Sequence, residues 1–206
     1  MPCAPLPGGR LDVPSCYLGN PQAFVSHINV TLNATVVQDS GSTGVVLFPG
    51  TSATFTGNHI VNNRLTGVFV WGATISSQGD EFSGNEEHAV ELRAYPSPLQ
   101  PALLPAVGTL ASDDVHDSVV LAATGTLGGG VLAQGARVDV INSRVHNNRG
   151  IGVSFVNGST GSAVDNQIYD NRGSAVCISN AGAVSVTGDS MTGNASDAPG
   201  VCRETT

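Results

Sequence analysis

A short phrase returns along this chain at intervals of 22–23 residues, and that interval restricts the fold more than any other property of the sequence. The phrase is a small residue, then Val, any residue, and an apolar residue. It reads Gly44-Val45-Val46-Leu47, Gly67-Val68-Phe69-Val70, Ala89-Val90-Glu91-Leu92, Gly130-Val131-Leu132-Ala133, Gly152-Val153-Ser154-Phe155 and Ala175-Val176-Cys177-Ile178. A partial copy, Gly200-Val201-Cys202, closes the series. The steps between small residues are 23, 22, 41, 22, 23 and 25. The step of 41 fits one repeat carrying about 18 extra residues.

A second phrase precedes the first: polar, any, apolar, two of any kind, then Asn. It appears as Asn58-x-Ile60-x-x-Asn63, Asp80-x-Phe82-x-x-Asn85, Ser143-x-Val145-x-x-Asn148, Asn166-x-Ile168-x-x-Asn171 and Asp189-x-Met191-x-x-Asn194. Ala34-x-Val36-x-x-Asp39 is a degenerate early copy.

One physical arrangement accounts for both phrases. Each repeat is a coil that adds short strands to stacked parallel sheets, with alternate residues pointing inward. Val and Ile fill the interior. The Asn is expected at the turn between strands, in the left-handed conformation, bonding up the axis to the Asn of the next coil. The small residue lets the next strand start in a tight corner. The predicted fold is all-β, a single-stranded right-handed parallel β-helix solenoid of about seven coils. At ~4.8 Å per coil it would be a rod of roughly 30 Å. Residues 1–28 are expected to form an N-terminal cap segment and residues 29–206 the β-helix, with an insertion at about 94–108. A β-sandwich with Asn-Gly turns is the competing fold, but its turns are not held in register over six repeats.

Composition agrees with this reading. Charged residues are 12% and aromatics 5%, with 26 Gly, so helix formers are scarce. The net charge of −8 without a basic tract argues against nucleic acid or an anionic membrane surface as partner. No apolar run approaches the length of a membrane span.

The repeat resembles the parallel β-helix repeat family found in pectate lyases, polygalacturonases, alginate C5-epimerases, phage tailspikes and many bacterial surface and secreted proteins. The resemblance covers about residues 30–202. It implies the pectate lyase-like fold and leaves activity open, since one fold hosts many functions.

The register places further residues. Cys177 and Cys202 hold the same position in consecutive coils, one residue after the inward Val. Opposed residues on neighbouring strands lie about 4.8 Å apart, within reach of a disulfide. A Cys177–Cys202 bridge is therefore expected, leaving Cys3 and Cys16 to pair in the Pro-rich N-terminal segment. Such bridges point to an oxidising compartment, extracellular or at the cell surface. The outward position reads Val46, Phe69, Glu91, Leu132, Ser154, Cys177, Cys202, and its apolar half needs a cover or a partner. The Pro-rich stretch at 94–108 is expected to lie over Phe69 and Trp71.

Arg64, Arg149 and Arg172 each follow a turn Asn. Arg149 and Arg172 should stack on one edge, and Arg64 should face Glu86. Guanidinium groups at a ladder edge suit the carboxylate or sulfate of an acidic sugar, and equally suit a solvated turn. The densest ionisable cluster is Asp113-Asp114-Val115-His116-Asp117. An outward Asp114 and His116 with Asp117 would form an acid–base set, and the carboxylates would suit Ca²⁺. Asp114-Val115-His116-Asp117 is similar to the Asp-Pro-His-Asp stretch of alginate C5-epimerases, with Val in place of Pro and without their Tyr-Gly lead-in. Alternatively, Asp113-x-Val115 is the ordinary polar-x-apolar phrase and His116 an ordinary turn residue. The catalytic motif sets of polygalacturonases and of Ca²⁺-dependent lyases are not legible, and no metal or other cofactor is implied by a motif.

Two functional classes follow. The first is a non-catalytic extracellular module, a structural spacer or carbohydrate-binding surface element, with a polysaccharide or a neighbouring domain of a longer chain as partner. The second is a polysaccharide lyase or uronate C5-epimerase acting on an acidic glycan, resting on the 113–117 cluster, the inserted stretch and Arg93. Convergence of Asp114 and His116 on an open face with an arginine nearby would favour the second.

Overall fold

The structure, a computed structural model, describes residues 28–95, 104–119, 128–200 and 202. Cys3, Cys16 and all but Ile28 of the cap expected over residues 1–28 lie outside the described residues, as does the Pro-rich segment 96–103.

Among the described residues, twenty short strands wind into three parallel sheets. The first sheet holds β1 (Ile28–Asn33), β4 (Thr51–Thr56), β7 (Thr74–Gln78), β10 (Val107–Ala111), β13 (Arg137–Ile141), β16 (Thr160–Val164) and β19 (Val184–Thr187). The second holds β2 (Val36–Gln38), β5 (His59–Val61), β8 (Glu81–Ser83), β11 (Asp114–His116), β14 (Arg144–His146), β17 (Gln167–Tyr169) and β20 (Ser190–Thr192). The third holds β3 (Val45–Leu47), β6 (Val68–Trp71), β9 (His88–Arg93), β12 (Gly129–Gln134), β15 (Val153–Val156) and β18 (Val176–Ser179). Each strand pairs with the strand three places away in the chain, as coil stacking demands.

Alternation explains the core. The middle residue of each second-sheet strand points inward, giving the column Ile60, Phe82, Val115, Val145, Ile168, each fully buried. The third sheet contributes Val68, Val90, Val131, Val153 and Val176 in the same way. Burying each such side chain stabilises the coil by about 1.5–3 kcal/mol. The small residue at the corner is required by contact. A Cβ on Gly67 would sit 2.5 Å from the Ala89 carbonyl oxygen and 2.7 Å from Asn85 Nδ2.

The polar phrase residues form two buried ladders at the turns. Between the second and third sheets, Asn63, Asn85, Ser118, Asn148, Asn171 and Asn194 stack. Asn63 donates both its backbone N–H and its Nδ2 to Asn85 Oδ1, at 3.1 and 3.0 Å. Asn148 does the same to Asn171, and Asn171 to Asn194. The expectation about backbone conformation needs correction. The left-handed residue is the one before the ladder position, as at Asn62, Asp117, Asn147 and Asp170, with φ of 55, 55, 55 and 54°. That residue turns the chain; the Asn after it faces inward and satisfies buried backbone groups. Between the first and second sheets, Asn58, Asp80, Asp113, Ser143, Asn166 and Asp189 form the other ladder.

The irregular coil carries two long connections rather than one. Residues 94–106 separate β9 from β10, and residues 117–128 separate β11 from β12. Tyr95 and Leu104 pair across the mouth of the first, and Tyr95 packs edge-on against Trp71 with ring centres 4.7 Å apart. Cys177 and Cys202 are joined by a disulfide, with their Cα atoms 4.6 Å apart.

Candidate functional site on the second sheet

Every second-sheet strand has three residues, so its first and third residues both face out. Reading up the stack, the first residues are His59, Glu81, Asp114, Arg144 and Gln167, and the third are Val61, Ser83, His116, His146 and Tyr169. Three imidazoles, two carboxylates, a guanidinium and a phenol therefore share one outer face.

Rings dominate the third column. The imidazoles of His116 and His146 lie nearly parallel, 4.9 Å apart with an interplanar angle of 2°. The Tyr169 ring stacks on the other side of His146 at 4.6 Å and 4°. The coil spacing of about 4.8 Å is close to a ring-stacking distance, so a column of planar groups stacks with no further adjustment.

Hydrogen bonds fix the imidazoles. Asn147 Nδ2 donates to His146 Nδ1 at 3.1 Å, so His146 carries its proton on Nε2 and donates it to Asp114 Oδ1 at 3.0 Å. Arg144 Nη2 pairs with the other Asp114 oxygen. Burial lowers the pKa of His146, outweighing the upward pull of Asp114, with the His116 and Arg144 charges acting in the same downward sense. His146 is thus a neutral imidazole at neutral pH, backed by a carboxylate. His116 is held by Asp117 Oδ2 on Nδ1 at 2.8 Å and approaches Glu81 Oε1 on Nε2 at 3.5 Å. Glu81 also accepts from Ser83 Oγ at 2.8 Å and meets His59 Nδ1 at 2.6 Å. Burial pulls the Glu81 pKa up, but Ser83, His59 and His116 together hold it below its ordinary value.

The residues singled out from sequence separate clearly. Asp114, His116 and Asp117 come together on this face. Asp113 does not: it is the inward residue of the polar-x-apolar phrase and is buried. Strand alternation sends Asp113 inward, as the polar-x-apolar phrase has it, and Asp114 and His116 outward; His116 lies in the strand, and the turn residue is Asp117, with φ of 55°. Among the described residues no three His, Cys, Asp or Glu side chains are grouped to hold a metal ion. Arg64, Arg149 and Arg172 stand exposed at the turn where the second sheet ends. Arg149 and Arg172 occupy neighbouring coils at that edge. Arg64 is level with Glu86, but no ion pair joins them among the described residues. Arg93 belongs elsewhere: it lies on the outer face of the third sheet, bonded to Glu91 and 5.8 Å over the Phe69 ring. The arginine near Asp114 is Arg144. Sequence reasoning misses His59, Glu81, Arg144, His146 and Tyr169, although aligning the second phrase and reading its two unspecified outward positions downward finds them.

Chemically, the face offers a neutral base backed by a carboxylate, a phenol stacked on it, and a half-exposed guanidinium. Residues 22–202 match the family described as a right handed beta helix region. No curated protein matches the chain. Among solved structures, the A-module of the mannuronan C-5 epimerase AlgE4 of Azotobacter vinelandii is similar in fold, with a TM-score of 0.57 at 18% identity. The similarity covers 86% of this chain and 56% of that one, so the chain spans little more than half of that relative.

Proposed function

The chain belongs to the right-handed β-helix family, and from that premise we propose that the outer face of its second sheet acts on an acidic glycan, removing the proton from the ring carbon beside a uronate carboxylate. The product is an unsaturated end in a lyase or an inverted centre in a C5-epimerase. The observation that carries this reading is the stack His116–His146–Tyr169 set beside the Asp114–Arg144 pair.

A proton next to a carboxylate is weakly acidic, because its loss adds negative charge beside an existing one. The step needs the carboxylate neutralised, a base in its neutral form, and a proton donor. Arg144 neutralises, with Arg149 and Arg172 extending positive charge along the edge of the face. His146 is the base: its Nδ1 takes the proton once the exposed Asn147 amide yields to substrate, and Asp114 stabilises the imidazolium. Tyr169 supplies a proton to the leaving glycosidic oxygen or back to the ring carbon. The Cys177–Cys202 bridge suits an extracellular site of action. The name of the AlgE4 module is consistent with this substrate class.

The test is a panel of uronic-acid polymers and neutral glycans incubated with the full chain, scoring binding, unsaturated product and inversion. Turnover confined to uronate polymers is the expected result. Binding without turnover would return the module to a carbohydrate-binding surface element, and neither would leave a spacer.

A further inference from the structure

The buried ladder between the first and second sheets sets one carboxylate next to another, a juxtaposition found nowhere in the other ladder among the described residues. Where an amide occupies a rung, two N–H groups pass to Oδ1 of the next: Asn58 to Asp80 at 2.6 and 2.7 Å, and Asn166 to Asp189 at 2.7 and 2.8 Å. From Asp80 to Asp113 only the backbone half survives, Asp80 N–H to Asp113 Oδ1 at 2.8 Å. A carboxylate stands where the second donor should be.

The remaining contacts say where charge and proton reside. Asp80 accepts four hydrogen bonds: Asn58 N and Nδ2 on Oδ1, and Ser77 Oγ at 2.6 Å and Gln78 N at 3.1 Å on Oδ2. That set fits an ionised carboxylate. Ser77 sits at a core position, level with Phe55 and Leu110, and its hydroxyl is turned to Asp80. Asp113 accepts on Oδ1, while its Oδ2 is buried with no hydrogen-bond partner. The elements packed against Asp113 are β7, the turn before β8 and the turn before β14. Among the described residues they present Ser77, Asp80 and Ser143 to it, and Asp80 is the only titratable one.

We infer that Asp80 and Asp113 hold one proton between them, on Asp113, and that this neutral acid beside a buried anion is a pH-sensitive latch beneath the outer face. Burial first, and the Asp80 charge with it, raise Asp113 to about 7 from the ordinary 3.8, against the downward pull of the nearby Asp80 and Gly79 N–H groups and the Ser77 hydroxyl. Between those values the folded chain holds a proton that the unfolded chain releases, so stability falls as pH rises through that window and is flat above it. The full effect is up to roughly a thousandfold in the folding equilibrium. Asp114 donates its backbone N–H to Asp80 O at 2.9 Å, so the latch lies directly under the outer acid–base set.

The experiment is denaturant unfolding of the full chain from about pH 4 to about pH 9, for wild type, D113N and D80N. D113N should remove most of the fall and leave the chain more stable than wild type above neutrality. D80N should move the fall to lower pH, because the amide introduced there would donate to Asp113 and carry no charge. An unchanged midpoint in D80N would show that burial alone acts and would overturn the shared proton. Should the variants fail to fold, infrared spectra of wild type provide the second readout. A buried carboxylic-acid carbonyl band should vanish as pH passes about 7; its absence at pH ~5 would equally overturn the inference.

Discussion

The first and second sheets of this solenoid share one repeat, one register and one core, yet their outer faces differ in kind. On the first sheet one outward column reads Thr31, Thr54, Ser76, Thr109, Asp139, Ser162, Ser185. Its single charged residue, Asp139, is occupied locally by Arg137 at 3.1 Å and by Ser162 at 2.8 Å. On the second sheet the outward columns carry imidazoles, carboxylates, a guanidinium and a phenol that bond across coils. The inward positions obey the repeat on both sheets because they must fill the core and continue the ladders. The outward positions obey nothing in the repeat, so chemistry concentrates there.

The largest effects should come from outward residues of the second sheet. H146A and Y169F should each lower turnover of a uronate polymer by about 10²–10⁴-fold, while S76A and T109A on the first sheet leave it unchanged. Equal losses on both faces would dissolve the distinction. Inward residues should behave in the opposite way. N85A strands the Asn63 N–H groups and the Ile60 carbonyl, and should cost about 2–3 kcal/mol in chemical unfolding, with residual turnover in the folded fraction. The acid limb of the pH–rate profile should lie below the ordinary imidazole value of 6.5, because burial lowers His146. D114N removes an upward influence on that imidazole, so the limb should move further to acid as the rate falls. A limb moving to higher pH would show that Asp114 is not its partner. The smallest effect is expected at the edge: R149A should weaken binding of a polyuronate several-fold at low salt, and the difference should shrink as ionic strength rises.

The fold is legible in the sequence because packing imposes it. The Val and Asn columns recur from coil to coil, and the Cys177–Cys202 bridge follows from their register. The turn conformation is displaced by one residue from its expected place. An Asn is apt both for a left-handed turn and for a buried ladder, and only the structure separates Asn62 from Asn63. The single expected insertion is two connections, because one phrase alone measures only the total gap. Of the site, Asp114, His116 and Asp117 are legible as a cluster in sequence. Arg144, His146 and Tyr169 do not read as part of that cluster, because they come from the next coils: Arg144 stands 30 residues from Asp114, and Tyr169 a further coil on, paired with His146. Stacking brings them within one ring spacing.

Abstraction of the proton beside a uronate carboxylate by the second-sheet face, as proposed, is tested most directly by isotope exchange. The folded chain is incubated with a polyuronate in D₂O, and the ring carbon beside the carboxylate is followed by NMR, for wild type and H146A in parallel. Deuterium entering that position, or an unsaturated end appearing there, with wild type and not with H146A, is the predicted result. A folded wild-type chain that binds uronate polymers yet exchanges and cleaves none of them, or an H146A variant that reacts at the wild-type rate, would contradict it.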